Sequence, residues 1–324
     1  KARIRNVAQA LNTSELELVA ASARGLQSTP LKGPAQEIVK ELGNLGSVMA
    51  LSRNDWAVHE RHGKYENIRV TQSMGLVLGP DIDLRLFFKN WGEIWAVNDQ
   101  GRHSLQFFDK AGTAIHKVFC TEDTDLVAYE NLVKKFTNSE TVWPTLQAIS
   151  QNTPPQNTVD PSELRQRWLA MTDTHQFHSI LQELDISRLT ALHHAGSDLA
   201  QLIDNTTIES MLEAVVAQQI PFMCFVGNSG IVQIHSGPIE HVLRTGPWFN
   251  ILDPHFNLHL DTTAIDETWL VNRPSSDGWI TSLECYTTNG DLITQFFGAR
   301  KPGLPELSAW RQLLSSYATQ ALAA

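Results

Sequence analysis

Cysteine is scarce in this chain: there are three in 324 residues, Cys120, Cys224 and Cys285, far apart in the sequence. They form no CxxC pair, and no His stands in zinc-ligand register with them. A disulfide scaffold, a zinc knuckle and thioether attachment of a cofactor through CxxCH are therefore excluded, and each thiol reads as a buried apolar residue. Long apolar runs are also missing. None approaches 18 residues, and the opening KARIRNVAQALN has no apolar core of a secretory signal. The chain does not begin with Met and reads as trimmed, and the expected compartment is the reducing cytoplasm. Positive charge is in deficit: 25 Lys and Arg stand against 35 Asp and Glu, a net charge of −10. That argues against a nucleic-acid partner held by phosphate neutralisation and against an anionic membrane surface. No nucleophile elbow, P-loop, GxGxxG or HExxH occurs, so the common hydrolase, phosphate-binding and zinc-protease chemistries have no support.

What is present is a globular composition, 42% hydrophobic and 19% charged, at a two-domain length. The chain repeats itself. At an offset of 174, Asn54 falls on Asn228, Val58 on Val232, Leu84-Arg85-Leu86 on Leu258-His259-Leu260, and Trp95 on Trp269. The offset grows to 178 (Ser104-Leu105 on Ser282-Leu283) and then to 181 (Tyr129 on Trp310), while 11–19 echo 184–192 at 173. Ordered matches with small, growing offsets indicate duplication with short insertions, and the period is far too long for a solenoid unit. The expected organisation is a first half at 1–136, a Ser/Thr/Asn/Pro-rich linker at 137–163 and a second half at 164–324.

Each half opens with an apolar stripe of helical period, Ile4, Val7, Ala8 and Leu11 or Phe177, Ile180, Leu181 and Leu184. Strands joined by short turns follow, two of which end on Gly112 and Gly290, and a helix closes the half. Consecutive hairpins without βα alternation indicate an α+β class, a tandem duplication with a large antiparallel sheet and packed helices in each half.

Three constellations hold candidate chemistry. His175 lies about 200° from Phe177 around a helix and within about 60° of His178, so both imidazoles leave the apolar stripe. The plain reading is a solvated helical face; the functional one is an axial metal or haem ligand. In IDLRLFF, Ile82, Leu84, Leu86 and Phe88 face one side while Asp83, Arg85 and Phe87 face the other, with Asn257, His259 and Asp261 at the repeated positions. A guanidinium beside an aromatic suits a planar anion, though a wet sheet face accounts equally for the pattern. QFFGARKPG supplies Gln295, Phe297, Arg300 and Lys301, with Arg273 before Pro274, and reads either as a charged edge or as a cradle for an apolar ring with carboxylates.

Taken together, the segments MTDTHQF, NDWAVHE, DLRLF, FVGNSGIVQIHSG, WFNILDPHFNLHL, RPSSDGWITSLE and QFFGAR resemble the bacterial haemin-degrading factor family over essentially the whole chain. The resemblance implies a cytoplasmic protein of haem utilisation with a non-covalent haem b site. His175 would be the axial ligand. Arg85, from the first half, would act on the iron through water from the opposite haem face. Arg273, Gln295, Phe297 and Arg300 would contact the propionates and rim, and His59 would be a secondary haem ligand. Relatives often carry Phe at the position of His178, where it gates access together with the position of Phe87. They often carry Tyr at Phe297, and some have Lys at Arg273. Two functions follow: haem degradation with an external donor such as NAD(P)H or ascorbate, or haem storage and delivery to a separate oxygenase. The partners implied are haem, an inner-membrane haem transporter or a downstream haem oxygenase, with no membrane insertion. A duplicated interaction module with merely structural histidines is a third reading.

Overall fold

Apolar residues at every second position favour a strand, and the chain forms eighteen strands among the residues described by the computed structural model, which are 4–140, 143–148, 157–301 and 303–324. In the first half the order is α1 (Ile4–Leu11), α2 (Glu15–Ala20), β1 (Gln27–Leu31), α3 (Ala35–Glu41), β2 (Gly46–Arg53) and β3 (Ala57–Gly63). Then come β4 (Arg69–Val70), β5 (Met74–Leu78), β6 (Asp83–Phe87), β7 (Trp91–Asp99), β8 (Arg102–Asp109), β9 (Ala114–Thr124) and α4 (Leu126–Phe136). The second half runs α5 (Pro161–Leu169), α6 (Gln176–Glu183), α7 (Arg188–His194), β10 (Ala200–Ile203), α8 (Thr207–Gln218), β11 (Phe222–Gly227) and β12 (Ile231–Gly237). It ends with β13 (Val242–Thr245), β14 (Trp248–Leu252), β15 (Phe256–Asp261), β16 (Glu267–Ser275), β17 (Gly278–Tyr286), β18 (Leu292–Gly298) and α9 (Ser308–Tyr317). Of the segment 137–163, residues 141–142 and 149–156 lie outside the described residues, and Asp160 caps α5, so the last three residues are helical.

The strands form two nine-stranded antiparallel sheets, which gives the expected α+β class. Their order is β1-β7-β8-β9-β2-β3-β15-β14-β13 and β10-β16-β17-β18-β11-β12-β6-β5-β4. Each sheet therefore takes three strands from the other half. β6 pairs with β12, Arg85 opposite Val232, and β15 pairs with β3, His259 opposite Val58. Sequence matching divides the chain at the linker, but the sheets cross that division.

The inner faces carry the main cores. Ile82, Leu84 and Leu86 pack with Phe107, Ile115 and Leu132, and Phe256, Leu258 and Leu260 pack with Met211, Phe222 and Trp310. Asn54 and Asn228, matched by the repeat, close the junction. The Asn54 amide donates to the carbonyls of Gly227 and Ile293, and that of Asn228 to those of Arg53 and Ile115. Gly230 touches the same place: a Cβ there would lie 2.7 Å from Ile115 and 2.8 Å from the Trp91 indole nitrogen. On the outer faces, α1 and α2 cover part of the first sheet and α5–α7 part of the second. No helix among the described residues is long and apolar enough to cross a membrane.

Candidate functional site

The segment before α6 holds its shape through its own side chains. Gln176 accepts hydrogen bonds from the backbone N–H groups of Thr172 (2.9 Å) and Asp173 (3.1 Å). Asp173 accepts from the backbone N–H of His175 (2.9 Å) and from its Nδ1 (2.6 Å). The hydrogen bonds from the His175 backbone and side chain hold the Asp173 carboxyl below its usual range, so it is an acceptor only. Nδ1 is therefore the donor of this pair, and Nε2 is left on the outward side of the ring. The imidazole is 93% exposed. A carboxylate that fixes the ring and tautomer while the other nitrogen points outward is the support a metal-binding histidine requires. Phe177, two residues on, is buried against Trp168 (ring centroids 4.6 Å apart) and anchors the helix start to the second sheet.

The outer face of that sheet follows from its register. Arg85 opposes Val232, which opposes Gly227 on β11. Further along β11, Phe225 opposes Gln295 and Met223 opposes Phe297. Across β18, Gln295 opposes Glu284 and Phe297 opposes Ser282 on β17, and Ser282 opposes Val271, two residues from Arg273 on β16. Directly opposed residues share a face. One surface thus carries Arg85, Phe87, Val232, Phe225, Met223, Gln295, Phe297, Glu284 and Arg273. Helices α5–α7 bury it over β16 and β17, where Trp269, Val271 and Tyr286 join Trp168, Phe177 and Leu181. Beyond the helices, Phe297, Gln295, Met223, Phe225, Val232, Arg85 and Phe87 are only half-buried. A half-open apolar sheet face beginning where α6 starts is a place for a flat, largely apolar ligand.

Beneath α6 lies a buried charge network. Glu284 is fully buried and accepts from Arg188 Nε (2.8 Å) and Nη2 (2.7 Å), from Tyr286 OH (2.6 Å) and from Arg273. Burial alone opposes the Glu284 charge, but Arg188 and Arg273 outweigh it and hold the carboxyl below its usual range. Burial pulls Arg273 down to about 10 against the attraction of Glu284. Both guanidiniums lie 5.0 Å from the Phe177 ring centre, and that of Arg273 is also 5.9 Å from Phe297. Two cations share one anion here. Arg273 Nε and Arg300 Nη1 are buried without hydrogen-bond partners, donors suited to an incoming carboxylate.

The residues expected from sequence fall into three groups. Arg85, Phe87, Gln295 and Phe297 come together on the open face, with His175 and the exposed His178 at the head of the helix beside it. Arg273 and Arg300 border the face but are engaged, Arg273 with Glu284 and Arg300 with Asp277 at 3.3 Å. Arg85 likewise pairs with Asp83. His59 stands apart. It is fully buried at the junction, 4.9 Å from the Phe256 ring, both nitrogens without partners, out of reach of a ligand on the outer faces. Arg188, Glu284, Met223 and Phe225 escaped the sequence reading. Arg188 did carry a signal: a cation in the first turn of a helix is disfavoured by the helix dipole unless a specific anion holds it.

Comparison with known proteins agrees with this fold. The family model described as the haemin-degrading HemS.ChuX domain matches residues 12–136 and again 185–317. The hemin transport protein HmuS of Yersinia pestis is 37% identical over 99% of this chain and 94% of its own. The heme-binding protein PhuS of Pseudomonas aeruginosa, in its holo crystal structure, superposes with a TM-score of 0.94 at 41% identity, covering 99% of this chain and 94% of PhuS. ChuS, described as an E. coli heme oxygenase, superposes at 0.88 with 34% identity, covering 97% and 95%. The chain belongs to the haemin-degrading HemS.ChuX domain family.

Proposed function

We propose that this protein binds haem non-covalently on the open outer face of the second sheet and degrades it in the cytoplasm, releasing iron. The observation that carries the reading is the strand exchange, which sets Arg85 and Phe87 of the first half on the face that also holds Phe297 and Gln295, beside the helix headed by His175. In this reading His175 Nε2 is the axial donor and Asp173 keeps it in the donating tautomer. Phe225, Phe297 and Met223 take up the ring, and Arg273 and Arg300 offer their unpartnered N–H groups to the propionates. Arg85 supplies a hydrogen-bond donor on the other side of the iron. Haem brings the redox chemistry; the protein sets ligation, polarity and access. Ring opening consumes dioxygen, with electrons from an external reductant such as NAD(P)H or ascorbate.

The relatives' names support two uses, since HmuS and PhuS are named for transport and binding and ChuS for degradation. Reductant added to the haem complex separates them. The proposal expects loss of the Soret band with a tetrapyrrole product and free iron, whereas a stable ferrous complex that passes haem on intact would establish a carrier. Arg85→Ala is expected to slow degradation by about 10²–10³-fold, the cost of losing one donor aimed at developing charge. Degradation at the wild-type rate would remove Arg85 from the mechanism.

A further inference from the structure

The outer face of the first sheet repeats the arrangement just described without its imidazole. By the offset of 178, Phe119 stands where Phe297 does, Lys117 where Gln295 does and Gln106 where Glu284 does; by 173, the sequence matches His175 with Ala2, outside the described residues. Between this face and the segment 4–26 lies a cavity of about 410 Å³, within the size range of ligand pockets. Five basic side chains line it, Arg5, Arg24, Arg53, Arg102 and Lys117. Three acidic ones oppose them, Glu15, Glu60 and Asp99, and Asp55 just outside the lining pairs with Arg5, leaving a surplus of one positive charge on a protein of net charge −10. The Arg102 guanidinium lies 4.1 Å over the Phe119 ring, so a cation and an aromatic stand together in the wall. Glu15 and Gln106 line the same cavity, and each holds a buried acceptor, Oε1, that of Glu15 lying 4.0 Å from Arg5. Both belong to side chains more than nine-tenths buried, and neither receives a hydrogen bond. A buried acceptor without a donor is unfavourable, and a ligand N–H would satisfy it.

We propose that this face is a second binding site, for a metal-free organic dianion with apolar rings and N–H donors. An open-chain tetrapyrrole dicarboxylate has that chemistry: two carboxylates for the basic side chains, pyrrole N–H groups for the two acceptors, and no need of an axial donor. The choice of that ligand rests on the proposed haem degradation, which generates this class of product; the site itself rests on the cavity and its charges. The first half would then hold the product while the second takes up the next substrate.

The test is titration of iron-free biliverdin into the full-length protein, followed by its absorbance and by tryptophan quenching. Haemin is titrated into the same samples and followed by the Soret band. Arg102→Gln and Phe119→Ala are each expected to weaken biliverdin binding tenfold or more and to leave the haemin titration unchanged. His175→Ala is expected to do the reverse. Circular dichroism identifies any variant that fails to fold, and the other variant then carries the comparison. No binding of biliverdin by the wild type, equal affinity in both folded variants, or one-for-one displacement by haemin would overturn the proposal. Normal haemin binding in those cases would leave the function of the second half standing, and its loss in the wild type would sink that function separately.

Discussion

Replacing Glu284 by Gln keeps the shape of the side chain and removes the carboxylate that two guanidiniums share. Glu284 is fully buried, the Arg273 side chain 6% exposed and that of Arg188 25% exposed. Removing one partner from such a cluster leaves uncompensated buried charge, which costs about 3–5 kcal/mol. With a urea dependence of about 3 kcal/mol per molar for a chain of this size, the unfolding midpoint should fall by about 1–1.7 M. The first half provides the control. Gln106 occupies the matching position there, beside Lys117, whose ammonium has its own carboxylate in Glu15 at 3.4 Å, so a neutral amide is tolerated. The assay is urea unfolding followed by circular dichroism for wild type, Glu284→Gln, Arg273→Leu and the double variant. The double variant should lose clearly less than the two single losses combined, because each removes the charge that the other strands. A midpoint for Glu284→Gln within about 0.2 M of wild type, on the same scale, would refute the view that Glu284 holds this end of the site together.

Asp173→Ala frees the His175 ring and its tautomer, so haemin affinity should fall about 10–100-fold with the Soret position kept, as for other supports of metal ligands; an unchanged titration would show that the carboxylate plays no part. Stability should fall with acid through the buried imidazoles. Burial pushes both His116 and His235 down to about 3, against about 6.5 when unfolded. A folded value below the unfolded one means that this stability is fully present above pH 6.5 and drains away as pH falls toward 3. Each imidazole contributes a slope of about 1.4 kcal/mol per pH unit, so the pair should cost about 4 kcal/mol between pH 7 and 5. Urea midpoints across that interval should drop accordingly and drop less in His235→Gln; a flat profile would contradict the burial argument.

The duplication and the sheets were legible because apolar period and turn residues are local properties. The alternation of Ile82, Leu84 and Leu86 against Asp83, Arg85 and Phe87 is the alternation of buried and half-exposed residues in β6. The exchange of strands was not legible: two copies of one pattern fit either sheet, and only packing decides which copy pairs with β12. The same ambiguity hid the environment of His59, covered by Phe256 from the other half. His175 stood out because it falls off the apolar stripe of α6. The engagement of Arg273 stayed hidden because Glu284 lies on the neighbouring strand, and meeting it depends on a register that composition does not specify.

The central claim, that the head of α6 and the open face of the second sheet form a haem site ligated by His175, is tested most directly by titrating haemin into wild type, His175→Ala and His178→Ala. A one-to-one complex with a sharp Soret band is predicted for wild type and His178→Ala, with the axial signature lost in His175→Ala. Retention of the wild-type spectrum in His175→Ala, or its loss in His178→Ala alone, would contradict the account.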